Sequence, residues 1–309
     1  MFLRDQRRKA VLVVNPRSGN GRAESFIAPC VSALCEGGWE PMVFTTSCRG
    51  DAVQIASDYG AECDLFICSG GDGTMNETVR GIMTLEKSQR PRIGYLPAGS
   101  TNDFASALRL PKKPESMINT ALYGSAREVD VGCFNGRHYA YLASFGAFTD
   151  MSRTTSQEAK NSLGFLAYLG SGMNSLANIR PIHITIAANG SVIDEEFAFA
   201  AVSNTTSVAR LINYKDALTD LNDGLFEAIF IKYPQNAIDI GRIAHAITSG
   251  DFSTELVTHF RCSEIRIGFN DPVPWILDGE HAEAGHEAVI ENIHSAIRVM
   301  VPTIDLAGI

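Results

Sequence analysis

The chain has 309 residues, 45% hydrophobic and 20% charged, which fits two folded domains with real cores and excludes a disordered chain. Thirty-five acidic against 26 basic residues give a net charge of −9, so neither non-specific nucleic-acid binding nor attraction of the whole molecule to an anionic membrane has electrostatic support. Seven cysteines, at 30, 35, 48, 63, 68, 133 and 262, form no C-x-x-C pair, the pattern of free thiols in a reducing compartment. With no signal-type h-region and no run of about 18 apolar residues, a cytoplasmic protein is expected, its membrane contact at most peripheral.

From the N-terminus, "KAVLVVNP" (9–16), "EPMVFTT" (40–46), "CDLFICSGG" (63–71) and "RIGYLPAGS" (92–100) read as buried strands. Segments near 22–36, 50–59, 75–84 and 102–108 have helical character, and Asp51 after Gly50 is a candidate N-cap for the second. Such alternation predicts a parallel sheet with helices on its faces, binding its ligand beyond the C-terminal strand ends. After about residue 126 the pattern changes. "HITIAANGSVIDEEFAFAAVSN" alternates on either side of Asn189-Gly190, a hairpin signal, and "GLFEAIFIK", "SEIRIGFN" and "AIRVMVP" are further strands. The expected architecture is an α/β unit over 1–126, completed by 297–309, and an antiparallel β-sandwich over 127–296 with helices near 157–178 and 235–249.

The four N-terminal strands end in glycine or hydroxyl residues. "NPRSGNGRA" (15–23) offers Asn15, Ser18 and Gly19, and the second strand ends at Thr45-Thr46. "GGDGTMNE" (70–77) offers Gly70, Gly71, Asp72, Gly73, Thr74, Asn76 and Glu77, and "PAGSTNDFA" (97–105) offers Gly99, Ser100, Thr101, Asn102 and Asp103. Glycines at strand ends let backbone N–H groups approach an anion, helped by the partial positive charge of a helix N-terminus, so a phosphate is the natural guest. Any one of these loops alone also reads as a tight turn; the four together at one sheet end carry the case. The Walker and Rossmann fingerprints are both absent, so a polyphosphate would need amides, Arg17 or Arg22, and a divalent metal beside Asp72.

In the second half, "TDLNDGLFEA" (219–228) is an Asx-rich turn or a metal loop built on Asp223. "PWILDGEHAEAG" (274–285) reads as a hairpin with a polar tip; alternatively, Glu280 has the chemistry to take a proton from an alcohol. An apolar face at 163–179 (Phe165, Leu166, Leu169, Met173, Leu176) suits core packing or contact with a bilayer surface.

These motifs, in this order and spacing over nearly the whole chain, resemble the diacylglycerol kinase catalytic-domain family, and most of all its bacterial soluble lipid kinases. The G-G-D-G turn is shared with NAD kinases and phosphofructokinases; Asn102-Asp103-Phe104 and the late Asp278-Gly279-Glu280 select the lipid-kinase branch. The resemblance implies ATP and Mg²⁺ as cofactors and a lipid alcohol, most of all diacylglycerol, as acceptor at a membrane surface. It implies nucleotide binding by Gly71 to Glu77, Thr46 and a hydroxyl at 100 or 101, where Ser100 precedes Thr101 in a departure from the family's G-T-x-N-D-F. It further implies a magnesium set of Asp223 with main-chain oxygens of Asp220 and Leu225, and Glu280 as proton acceptor, a role that sphingosine kinases assign to the position of Asp72. A homodimer is compatible with it. The competing functions are a NAD kinase-like enzyme and a non-catalytic nucleotide- or lipid-binding regulator.

Overall fold

The computed structural model describes residues 8–146, 181–204, 207–208, 212–213 and 221–303. Two compact units divide the chain, one of Met1–Val129 with Ser295–Ile309, the other of Asp130–His294. The helix expected near 157–178, the apolar face at 163–179 and Asp220 lie outside the described residues.

In the first unit the four apolar runs form strands β1 (Arg8–Val14), β2 (Trp39–Thr45), β3 (Leu65–Gly70) and β4 (Arg92–Pro97). β1 lies between β2 and β3, and β3 between β1 and β4, all in parallel register. Every residue of β3 is buried, as in a parallel strand covered on both faces, which is why it reads as an unbroken apolar run. Helices α1 (Ile27–Glu36), α2 (Asp51–Tyr59), α3 (Asp72–Met83), α4 (Asp103–Ala107) and α5 (Pro114–Tyr123) complete the alternation. Leu12, Phe26, Leu34, Ile67, Leu96, Met117 and Leu122 share one core.

Three local features depart from the sequence expectations. Helix α3 starts at Asp72 rather than near 75, because the Gly71 carbonyl already accepts the Met75 N–H at 3.0 Å, so the glycine motif is itself the first turn. Asp51 is the first residue of α2 and not its N-cap; Gly50 holds that position with φ at +91°. The Asp51 carboxylate turns back to the Ser47 and Cys48 N–H groups at 2.7 and 3.0 Å. Helix α5 is absent from the expected elements, although Pro114 at its start and the spacing of Met117, Ile118, Ala121 and Leu122 encode it.

The second unit takes over within β5 (Ser125–Phe134) and continues through β6 (Arg137–Tyr139), β7 (Leu142–Gly146), β8 (Ile182–Ala188) and β9 (Ser191–Ser203). After the short pair β10 (Ser207–Val208) and β11 (Ile212–Asn213) come β12 (Phe226–Lys232), helix α6 (Ala237–Ser249), β13 (Val257–Cys262) and β14 (Glu264–Phe269). The hairpin β15 (Pro274–Leu277) and β16 (Glu280–Glu283) precedes β17 (Glu287–Val301). Pairings among β7, β8, β9, β12, β13, β14, β15 and β16 are antiparallel throughout.

The β8–β9 hairpin turns at Asn189 (φ 51°) and Gly190 (φ 76°), the left-handed pair that an Asn-Gly turn supplies. β9 does not alternate as expected: Ser191 to Glu196 are exposed apart from the half-buried Ile193, and Phe197 to Ser203 are all buried. Phe197, Ala200 and Val202 enter the main core with Phe145, Phe230 and Trp275, while Phe199 and Ala201 pack with Ile243 and Ile247 of α6, so both faces are covered. Asn236 caps α6 by accepting the Ile238 and Asp239 N–H groups, and Gly250 (φ 68°) ends it. β17 begins against β14 and finishes in the first unit, where Arg298 and Val299 pair in parallel with Arg92 and Ile93 of β4.

Candidate active site

The loops after β1, β3 and β4 interlock at the C-terminal end of the first unit's sheet. Ser18 Oγ accepts the Gly71 N–H at 3.2 Å, Asn15 Nδ2 donates to Thr74 Oγ1 at 3.1 Å, and Ala98 N donates to Gly70 O at 2.8 Å. Thr46 continues the β1–β2 ladder through its N–H on Val14 O. The glycines divide into two kinds. A Cβ on Gly19 would lie 2.0 Å from Ala98 O, and one on Gly99 would lie 2.7 Å from Gly71 Cα, so these glycines let the loops touch each other. Gly73 is different: it is exposed in the first turn of α3, and a Cβ there would meet nothing within 4 Å among the described residues. It leaves the helix N-terminus open to an incoming anion.

The acids and amides of this motif are spent differently from what the sequence suggests. Asp72 accepts the Asp103 and Phe104 N–H groups at 3.1 and 3.2 Å, holding the start of α4 against α3. Burial, reinforced by the Asp103 carboxylate, raises its carboxyl to about 6 despite those two amides. Glu77 is buried and accepts the Gly50 and Ala52 N–H groups at 2.9 and 3.3 Å, so its carboxylate caps the start of α2. Asn76 is 1% exposed, and neither end of its amide has a partner among the described residues. Asn102 stands at φ 52° with its Nδ2 on Gly99 O, which shapes the turn that presents exposed Ser100; Thr101 is half-buried. Burial pushes the Cys30, Cys63 and Cys68 thiols up to about 12, which leaves them inert packing groups.

In the second unit, Asp278 and Glu280 are 5% and 7% exposed, so the hairpin tip is not the polar, mobile turn that its sequence suggests. Asp278 (φ 48°) and Gly279 (φ 84°) form the turn, and the Asp278 carboxylate accepts three successive backbone N–H groups, from Ala140, Tyr141 and Leu142. Glu280 is paired with Arg137, which also donates to the His281 carbonyl at 2.9 Å. Asp130, fully buried, accepts the Gly224 N–H at 2.7 Å and lies 3.0 Å from His294 Nδ1, and so fixes the 221–225 turn. Sequence reasoning missed Arg137 and Asp130, and it named Asp278 only as part of the D-G-E string, without its anchoring role. Asp278 carried a signal in its apolar approach, Trp275-Ile276-Leu277; nothing local links Arg137 to a partner 143 positions away.

The magnesium set implied by resemblance is only partly described, since Asp220 lies outside the described residues. Asp223 Oδ1 accepts the Leu225 N–H at 2.9 Å, and Oδ2 is held by Arg261, which also reaches Glu227 at 3.0 Å. Among the described residues no three acidic, His or Cys groups gather as a cation site. Mg²⁺ prefers oxygen donors and water, so an ion held by Asp223 would have to displace the Arg261 guanidinium from Oδ2.

Comparison with known proteins places these features in one family. The family profile for the diacylglycerol kinase catalytic domain matches residues 9–134. The diacylglycerol kinase of Bacillus subtilis (strain 168) is 30% identical over 300 residues, covering 96% of this chain and 97% of that one. The diacylglycerol kinase of Staphylococcus carnosus (strain TM300) is 29% identical over 279 residues, or 89% of each chain. Among solved structures, a diacylglycerol kinase from Bacillus anthracis matches with a TM-score of 0.71 at 19% identity over 98% of both chains. A second Bacillus anthracis structure gives 0.78 at 22% identity over 95% of this chain and 97% of that one. At such identities the structures establish the shared fold: a parallel α/β unit followed by an antiparallel β unit.

Proposed function

This chain belongs to the diacylglycerol kinase family, and on that premise we propose that it transfers the γ-phosphoryl group of ATP to the primary hydroxyl of diacylglycerol, forming phosphatidic acid. Membership makes it a lipid kinase; donor, metal and acceptor are the added steps. The observation that carries the donor assignment is Gly73, the one exposed glycine of the G-G-D-G turn, at a helix N-terminus where an added Cβ would meet nothing within 4 Å among the described residues. Interlocked loops gather Asn15, Ser18, Gly71 and buried Thr74 at that strand end, with Ser100 exposed on the loop after β4 and Thr46 at the next strand end, and the buried Asn76 amide, with no partner among the described residues, suits a polar ligand.

Phosphoryl transfer relies on alignment and charge stabilisation more than on covalent help from the protein. The loop amides orient the triphosphate, and Mg²⁺ enters as part of the substrate, MgATP. The acceptor oxygen bonds to the γ-phosphorus as the bond to the β–γ bridging oxygen breaks. ADP leaves, and the alcohol proton passes to Glu280. Asp72 supports this from behind by fixing the 99–104 loop. No helix among the described residues is long and apolar enough to cross a membrane. In this reading the lipid is taken from a membrane surface.

Labelled ATP and Mg²⁺ with diacylglycerol in mixed micelles, beside ceramide, phosphatidylglycerol, a polyprenol and NAD, tests the assignment. Labelled phosphatidic acid is expected. Label on another lipid would move the acceptor; label on NAD alone, or on nothing, would end the proposal. Glu280→Gln should lower kcat by about 10²–10⁴-fold while ATP affinity holds.

A further inference from the structure

We propose that Arg137 is the positioning residue for Glu280: it fixes the carboxylate in the geometry that receives the alcohol proton. This role rests on the proton-acceptor role proposed for Glu280.

Arg137 grips two points one residue apart. Its Nη2 bonds Glu280 Oε2 and its Nη1 bonds the His281 carbonyl at 2.9 Å, so one guanidinium sets both the carboxylate and the main chain that follows it. A planar fork does this; a lysine, with a single ammonium, does not. The base of the fork is itself immobilised. Arg137 follows the Asn135-Gly136 turn (φ 46° and 82°), and Asn135 exchanges backbone and side-chain hydrogen bonds with Glu287 and Val289 of β17 at 2.7–2.9 Å.

Stability alone does not call for this pair. The hairpin is already anchored by Asp278 on three amides and by the buried side chains of Trp275 and Leu277. A carboxylate 7% exposed against a guanidinium is no better a stabiliser than apolar residues of the same volume, because desolvation offsets the attraction. Keeping the costlier arrangement makes sense where a charged, oriented carboxylate is needed for chemistry.

A double-mutant cycle tests it, with ATP and diacylglycerol as substrates and melting temperatures confirming the fold. Arg137→Met should lower kcat by about 10–100-fold with KM for ATP changed less than about twofold, the size of effect that misplacing a reacting group produces. In the Glu280→Gln background the same change should cost almost nothing, since the group it positions is gone. Arg137→Lys should restore part of the loss and, with Arg137→Gln, carries the comparison if the methionine variant does not fold. Normal turnover by Arg137→Met, or an equal loss in both backgrounds, would overturn the role of Arg137 and leave Glu280 untouched. Full turnover by Glu280→Gln alone would instead remove the proton-acceptor assignment, and this role with it.

Discussion

Gly73 and Gly19 look alike in the sequence and answer to different demands. Gly19 stands at φ 60° with the Ala98 carbonyl 2.0 Å from where its Cβ would be, so Gly19→Ala should disrupt the loop contact and lower stability by about 1–3 kcal/mol. Gly73 has open space and an ordinary helical backbone, and Gly73→Ala should leave the melting temperature unchanged or raise it by the gain in helix propensity, about 0.5–1 kcal/mol. ATP should raise the melting temperature of the natural protein and not that of this variant; a retained ATP shift would show that the nucleotide does not approach this turn. Asp72 is legible by pH. Its carboxyl is raised from 3.8 to about 6 in the folded chain, so the native state holds a proton that the unfolded state has released between those values. Stability from this group is therefore present below about pH 4 and lost as pH rises through 6. Asp72→Asn should flatten that stretch of the stability curve, and an unchanged slope between pH 4 and 6 would reject the burial of the carboxylate.

At the scale of elements, the hairpin β15–β16 shows how much the sequence discloses. Its existence and its two-residue turn follow from Asp278-Gly279, and its strands from Trp275-Ile276-Leu277. Its environment does not follow, because the three amides that bury Asp278 belong to residues 140–142. Glu77 is the same case: a motif residue in sequence, it serves as the cap of a helix 25 positions earlier. Strand and helix types were readable because periodicity is local, and the G-G-D-G, N-D-F and D-G-E strings located the candidate site. The partners of its acids were unreadable because ion pairs and caps join distant segments. The hairpin carries its own prediction. Asp278→Ala removes the acceptor for one buried and two part-buried N–H groups, so unfolding by urea should show a loss of about 3–5 kcal/mol, whereas Asp278→Asn keeps an acceptor and should lose less. Equal losses would mean that side-chain volume, rather than hydrogen bonding, anchors the turn.

For the whole molecule, the chain crosses between its units twice, within β5 and within β17, so the first unit is built from both ends of the sequence. Arg298 and Val299 lie beside β4, and Arg90 Nη1 donates to the Ala296 carbonyl at 2.8 Å. Ala296, Ile297, Val299 and Met300 are each 2% exposed or less. Burying three large apolar side chains contributes about 5–9 kcal/mol, comparable with the total stability of a domain at about 5–15 kcal/mol. A chain ending at His294 should therefore lose the first unit's cooperative melting and its response to ATP, even though every nucleotide-loop residue remains. Circular dichroism melts with and without ATP read this directly. An ATP-dependent transition surviving in the shortened chain would show that β1–β4 and their helices form a complete nucleotide unit alone, and that the returning strand serves only to tie the chain's end down.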